Sequence, residues 1–120
     1  MTIQDTWCTV DAYFSVKAGK KESFDKLVDR FVQETKNESG IRYYGWSVNE
    51  EEVHCRQGYQ NADGFLEHAG NVRHLFEEAL TISECSRLAI HGPDEELKKL
   101  RGPMEGIPLQ YFSLTSSFRR

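Results

Sequence analysis

The sequence predicts an α+β fold, a ferredoxin-like antiparallel sheet with its helices on one face. Three observations predict it. Four stretches, Cys8–Val16, Ile41–Val48, Val53–Tyr59 and Cys85–His91, alternate in character with a period of two residues. Two others, one starting near Lys21 and one after Asn61, carry apolar residues at helical spacing. Their order is strand, helix, strand, strand, helix, strand, the split βαβ pattern, which puts both helices on the same side of the sheet.

In the first strand Cys8, Val10, Ala12, Phe14 and Val16 share one face, and Thr9, Asp11, Tyr13 and Ser15 the other. Ala18–Gly19–Lys20 turns the chain into a helix over about Lys21–Asn37, where Phe24, Leu27, Val28, Phe31 and Val32 form one apolar stripe. Ser39–Gly40 ends that helix. The second strand, IRYYGWSV, places Ile41, Tyr43, Gly45 and Ser47 opposite Arg42, Tyr44, Trp46 and Val48. A tight acidic turn over Asn49–Glu52 joins it to the third strand as a hairpin.

The stretch Val53–Leu80 changes period from two to 3.6 within a few residues, so a strand feeds a helix through a short turn. Val53, Cys55, Gln57 and Tyr59 share a strand face, with His54 and Arg56 on the other, the face expected to meet the helices. Asn61 is the predicted N-cap, and Asp63 sits in the first helical turn. Gly70–Asn71 predicts a bend, with Asn71 capping a second helical piece, Val72–Ile82. The last strand of the core sets Cys85, Arg87, Ala89 and His91 against Ser86, Leu88 and Ile90. Beyond it Pro93, three acids and then Lys98, Lys99 and Arg101 predict a short helix. Leu109–Leu114 reads as a short fifth strand, expected to help hold a pair of subunits by reaching an edge, and Thr115–Arg120 as a loosely held tail.

A chain of 120 residues suits one domain, 1–120, with a core over about 8–92 and an extension over 93–114. The net charge of −4 and the lack of a long basic run give no reason to expect nucleic acid as a partner. No apolar run approaches the roughly 20 residues of a membrane span, and no signal-peptide pattern opens the chain. Cys8, Cys55 and Cys85 are odd in number and lie in strands without CxxC spacing, which predicts buried free thiols in a reducing, cytoplasmic setting. His68 and His74 are six residues apart and so lie on different helix faces, which argues against a metal site. No motif for a dinucleotide, phosphate or other cofactor is present, and none is expected.

A strand ending in an aromatic residue, a polar turn, and a helix with a His nine residues after the aromatic read here as Gln57-Gly58-Tyr59, Gln60–Asp63 and His68. Together with the lead-in TVDAYFSVKAGKKESFDKLV and the Gly40 turn, this resembles the antibiotic biosynthesis monooxygenase family over roughly Val10–Gly92. The family's usual Glu-x-Trp is replaced by Gln57 and Tyr59. The resemblance implies a dimeric α+β barrel, built by pairing two sheets. It implies a cofactor-independent monooxygenase acting on a small aromatic or quinol substrate that itself donates electrons to oxygen. Two further readings are a non-enzymatic dimeric domain that binds a small ligand or only assembles, and, third, a haem-binding or haem-degrading domain.

The resemblance also implies that His68 faces a pocket between helix and sheet, as a proton donor or a hydrogen-bonding partner of a substrate oxygen. Tyr59 is the second candidate catalytic residue. Gln57, Tyr43 and Trp46 are the expected substrate-binding groups, with Tyr43 on the face of Tyr59, and Phe65, Leu66 and Leu75 the apolar wall. The plainer alternatives are a structural His68, interface tyrosines and a core Trp46. The expected partner is a second copy of the chain, with a small aromatic ligand in each.

Overall fold

The computed structural model describes residues 5–120. Its elements run β1 (Cys8–Val16), α1 (Lys21–Thr35), β2 (Ile41–Asn49), β3 (Glu52–Tyr59), α2 (Ala62–Asn71), α3 (Arg73–Ala79), β4 (Ser83–Gly92), α4 (Asp94–Leu97) and β5 (Gln110–Ser113). The sheet has the order β2-β3-β1-β4-β5. Its first four strands are antiparallel to their neighbours. β5 pairs in parallel with β4 of its own chain, so the full sheet is mixed and β5 forms its edge.

The predicted apolar faces are the buried ones. Cys8, Val10, Ala12, Phe14 and Val16 are all buried on β1, and Val53, Cys55, Gln57 and Tyr59 on β3. Against them α1 lays Phe24, Leu27 and Phe31. Phe14 anchors this half of the core, with ring centroids 5.6 Å from Phe24, 5.8 Å from Trp46 and 6.0 Å from Phe76. Full burial of a side chain of this size contributes roughly 1.5–3 kcal/mol. A second cluster, around Tyr59, Phe65 and Ile90, takes in Leu97, Leu100 and Leu109 from the extension. No described helix is long and apolar enough to cross a membrane.

Two irregularities change which side chains share a face. Between Ile41 and Tyr43 the β2–β3 register shifts, so Ile41 pairs with Tyr59 but Tyr43 with Gly58 and Tyr44 with Gln57. A one-residue bulge inverts the parity of every later position. Tyr43 therefore lies on the face away from the helices, packed on Gly58, where an added Cβ would come within 2.2 Å of its ring. A similar shift beside Tyr13 and Phe14 brings Cys85 opposite Phe14 and leaves Leu88 opposite Ala12, so these two share a face that strict alternation had separated. His54 and Arg56 also point away from the helices. His54 Nε2 lies 2.7 Å from Asp11 of β1, and Arg56 sits over the Tyr43 ring at 4.8 Å, so this face does not meet the helices as expected.

The second helical region breaks at Val72 as its glycine predicted, but Asn71 does not cap α3. The extension is tied back to α2: Glu96 accepts a hydrogen bond from the Ala62 N–H at 2.9 Å, beside the N-cap contact in which Asn61 accepts from the Gly64 N–H at 3.0 Å. Lys99 donates to the other Glu96 oxygen at 2.9 Å. The final residues are also anchored, with the Arg119 guanidinium 4.3 Å over the Trp7 ring and 3.5 Å from Asp5.

Candidate functional site

The site begins with how α2 is seated. The turn Gln60–Asn61 is all that separates β3 from α2, and the Gln60 N–H donates to the Gly40 carbonyl at 2.9 Å. Gly40 and Gly64 meet backbone to backbone, since a Cβ on Gly40 would lie 2.6 Å from the Gly64 Cα. That contact draws the first turn of α2 onto the start of β2. His68, one turn further along, is then pressed between helix and sheet with 5% of its surface exposed.

There it meets a residue from just beyond the other helix. Glu38 lies in the turn after α1, and its carboxylate oxygens are 2.9 and 3.0 Å from His68 Nδ1. Both side chains are almost wholly buried, at 6% and 2% exposure. A carboxylate only accepts, so the ring proton sits on Nδ1 and the lone pair of the neutral ring on Nε2. Nε2 has no hydrogen-bond partner among the described residues. Asn71 completes the group. Its side-chain amide donates to Glu38 at 2.9 Å and to the Glu34 carbonyl at 3.1 Å, which is the work it does in place of capping. The arrangement fixes the tautomer and orientation of an imidazole that can take up a proton at Nε2, with the carboxylate stabilising the resulting cation.

Two tyrosine rings flank the imidazole, Tyr44 and Tyr59, each with its centroid 5.4 Å from that of His68. The Tyr59 hydroxyl donates to Gln57 Oε1 at 2.6 Å, and Gln57 Nε2 in turn to Cys55 Sγ at 3.4 Å. Burial raises both phenols well above the ordinary tyrosine range and pushes the Cys55 thiol up to about 12. All three are neutral at physiological pH.

His68, Gln57, Tyr44, Trp46 and Phe65 line one cavity of about 510 Å³ between sheet and helices, a size ordinary for a small-molecule site. Leu66, Phe76 and Met104 make its walls largely apolar. Of the residues singled out from sequence, His68, Gln57, Trp46, Phe65 and Leu66 come together here. Tyr59 stands behind them, fully buried, its hydroxyl engaged by Gln57. Leu75 packs in the core with Phe14 and Leu27 instead of lining the cavity, and Tyr43 lies on the opposite sheet face with Tyr44 in the place expected for it.

Sequence reasoning missed Glu38, Tyr44 and Asn71. No local signal marks Glu38: it lies two residues beyond Lys36, the C-cap of α1, and its partner is 30 residues away.

The chain aligns with MupZ of Pseudomonas fluorescens at 37% identity over 96% of this chain and 95% of that one, with a TM-score of 0.90. It shares its fold with a candidate antibiotic biosynthesis monooxygenase of Nitrosomonas europaea, at 14% identity over 78% of this chain and 96% of that one, TM-score 0.67. A conserved protein of Methanosarcina mazei gives 20% identity, 72% and 91% coverage, and a TM-score of 0.65. No family model and no curated protein sequence matches. The chain is a relative of MupZ and has the fold of the antibiotic biosynthesis monooxygenases. It and MupZ cover each other almost end to end, which the Nitrosomonas and Methanosarcina proteins do not.

Proposed function

We propose that this chain is an acid–base enzyme of the antibiotic biosynthesis monooxygenase family, and that its reaction is the oxygenation of a small phenol or hydroquinone. The observation that carries the reading is the buried Glu38–His68 pair opening onto an apolar cavity. His68 Nε2 takes the proton of a substrate hydroxyl while Glu38 stabilises the imidazolium. The Gln57 amide and the Tyr44 ring orient the substrate, and the apolar walls exclude water. The substrate anion is electron-rich and reacts with dioxygen: one oxygen atom enters the substrate, the other leaves as water, and the electrons come from the substrate. Tyr59 acts through Gln57, because its hydroxyl is already donated.

The sheet itself supports a dimer. The helices α1, α2 and α3 cover one sheet face, and the other carries Tyr13, Tyr43 and His54 only partly exposed to water, with the exposed Arg56 beside them. A second copy laid on this face completes the barrel.

The test is oxygen uptake with 1,4-naphthohydroquinone. His68→Ala should lower turnover by roughly 10²–10⁴, with circular dichroism unchanged. Equal turnover in the variant would remove His68 from the mechanism. A chain that binds the hydroquinone without consuming oxygen would instead be a ligand-binding domain, the reading favoured by the replacement of the usual Glu and Trp with Gln57 and Tyr59.

A further inference from the structure

We propose that the turn between α4 and β5 is the specificity-determining wall of the cavity, and that Met104 and Ile107 select substrates by the apolar group that extends beyond the reacting ring. This rests on the reading of the cavity as a substrate site.

The turn reaches the same cavity as His68, which it lines with Pro103, Met104, Glu105 and Ile107. It is held in place from both sides. Leu100 and Leu109 are buried in the second core cluster. Between them the Met104 N–H donates to the Leu100 carbonyl at 2.9 Å, the Ile107 N–H to the Met104 carbonyl at 3.1 Å, and the Leu109 N–H to the Ile107 carbonyl at 2.7 Å. Gly106 supplies the positive φ, +86°, on which the turn depends. Upstream, Glu96 joins the same segment to the first turn of α2, the helix that carries His68.

A turn fastened this well still leaves apolar surface unspent. Ile107 is 42% exposed although its neighbours Leu100 and Leu109 are buried. Met104 is half-buried against the second core cluster. Both therefore retain apolar surface for a ligand in the cavity they line, and the unbranched Met104 can adapt to its shape. Glu105 lies in the same wall, and Arg73, also in the lining, is already paired with Glu77 at 3.1 Å, so among the described residues the cavity holds no unpaired cation to favour an anionic group. The matching substrate class is an oxygen-bearing ring with a neutral, apolar substituent.

The experiment measures binding, so that it does not depend on turnover. In a Trp7→Phe background Trp46 is the only tryptophan, and it lines the cavity. Quenching of its fluorescence gives Kd for 4-methylphenol and 4-pentylphenol. The parent should favour the longer phenol by up to about fourfold per methylene. Met104→Ala/Ile107→Ala should lose most of that preference. An unchanged preference overturns the proposal. Nile red, a neutral apolar dye titrated in parallel, reports the cavity without a phenol. If neither phenol binds, the substrate reading fails and the dye decides the wall: weakened dye binding in the double variant supports it, and equal binding overturns it.

Discussion

Glu38 and His68 stand 30 residues apart in the chain and meet at 2.9 Å with both side chains almost wholly buried. The contact joins the end of α1 to the middle of α2, in a helical layer that the Arg30–Glu78 ion pair also bridges, from α1 to α3, at 3.0 Å. Removing either partner leaves the other buried without its main hydrogen bond.

Glu38→Gln keeps the shape and removes the charge that steadies an imidazolium. Turnover should fall by about 10–100-fold, the usual effect of losing such a supporting carboxylate, while the melting temperature changes little. Glu38→Ala strips His68 and Asn71 of their acceptor together and should cost about 1–3 kcal/mol in urea unfolding. Equal stability of the alanine variant would contradict the buried pairing.

Alkaline pH should weaken the fold. Burial pushes the Cys8 and Cys55 thiols from 9.0 up to about 12. Between those values the unfolded chain has lost protons that the folded chain keeps, so stability falls as pH rises. The contribution is intact below about pH 9 and is lost progressively toward pH 12. Unfolding midpoints at pH 7, 9 and 10.5 should decline chiefly over the last interval, and Cys55→Ala should flatten that decline. A midpoint independent of pH above 9 would contradict the burial of these thiols.

Gly40→Ala should be severe for so small a change. Its new Cβ would meet the Gly64 Cα at 2.6 Å, backbone against backbone, with no flexible side chain to yield. Overpacking of this kind costs about 1–3 kcal/mol. Because the contact seats α2, the variant should also bind phenols less tightly, which titration of the folded protein would detect.

Light scattering at micromolar concentration should give the mass of a dimer. Arg56→Glu puts a second negative charge beside Asp11 on the uncovered sheet face and should shift the mass toward that of the monomer. A parent chain that is monomeric at this concentration would contradict the pairing of sheets.

The strands and the first helix were legible because each has one buried face. Alternation in β1 and β3 and the stripe Phe24, Leu27, Phe31 carry that face directly in the sequence. His68 was legible from its distance to the strand end. Glu38 was not, because its pairing depends on how two helices pack and no local period records that. Tyr43 was taken for Tyr44 for a different reason. A bulge adds one residue to a strand without altering its composition, so alternation reads correctly on either side of it and wrongly across it. β5 was visible as a strand, but its parallel partner is fixed only by where the preceding turn delivers it.

The hydrogen bond from the Ala62 N–H to Glu96 has a consequence for how new variants of this protein arise. One short segment both fastens the helix that bears His68 and borders the space next to it. Lengthening or replacing the turn to admit a different molecule also disturbs the anchorage of the reacting group. Diversification here should therefore proceed by exchanging side chains on an unchanged backbone, and grafts of the segment between relatives should succeed only when Glu96 and its leucine anchors travel with it.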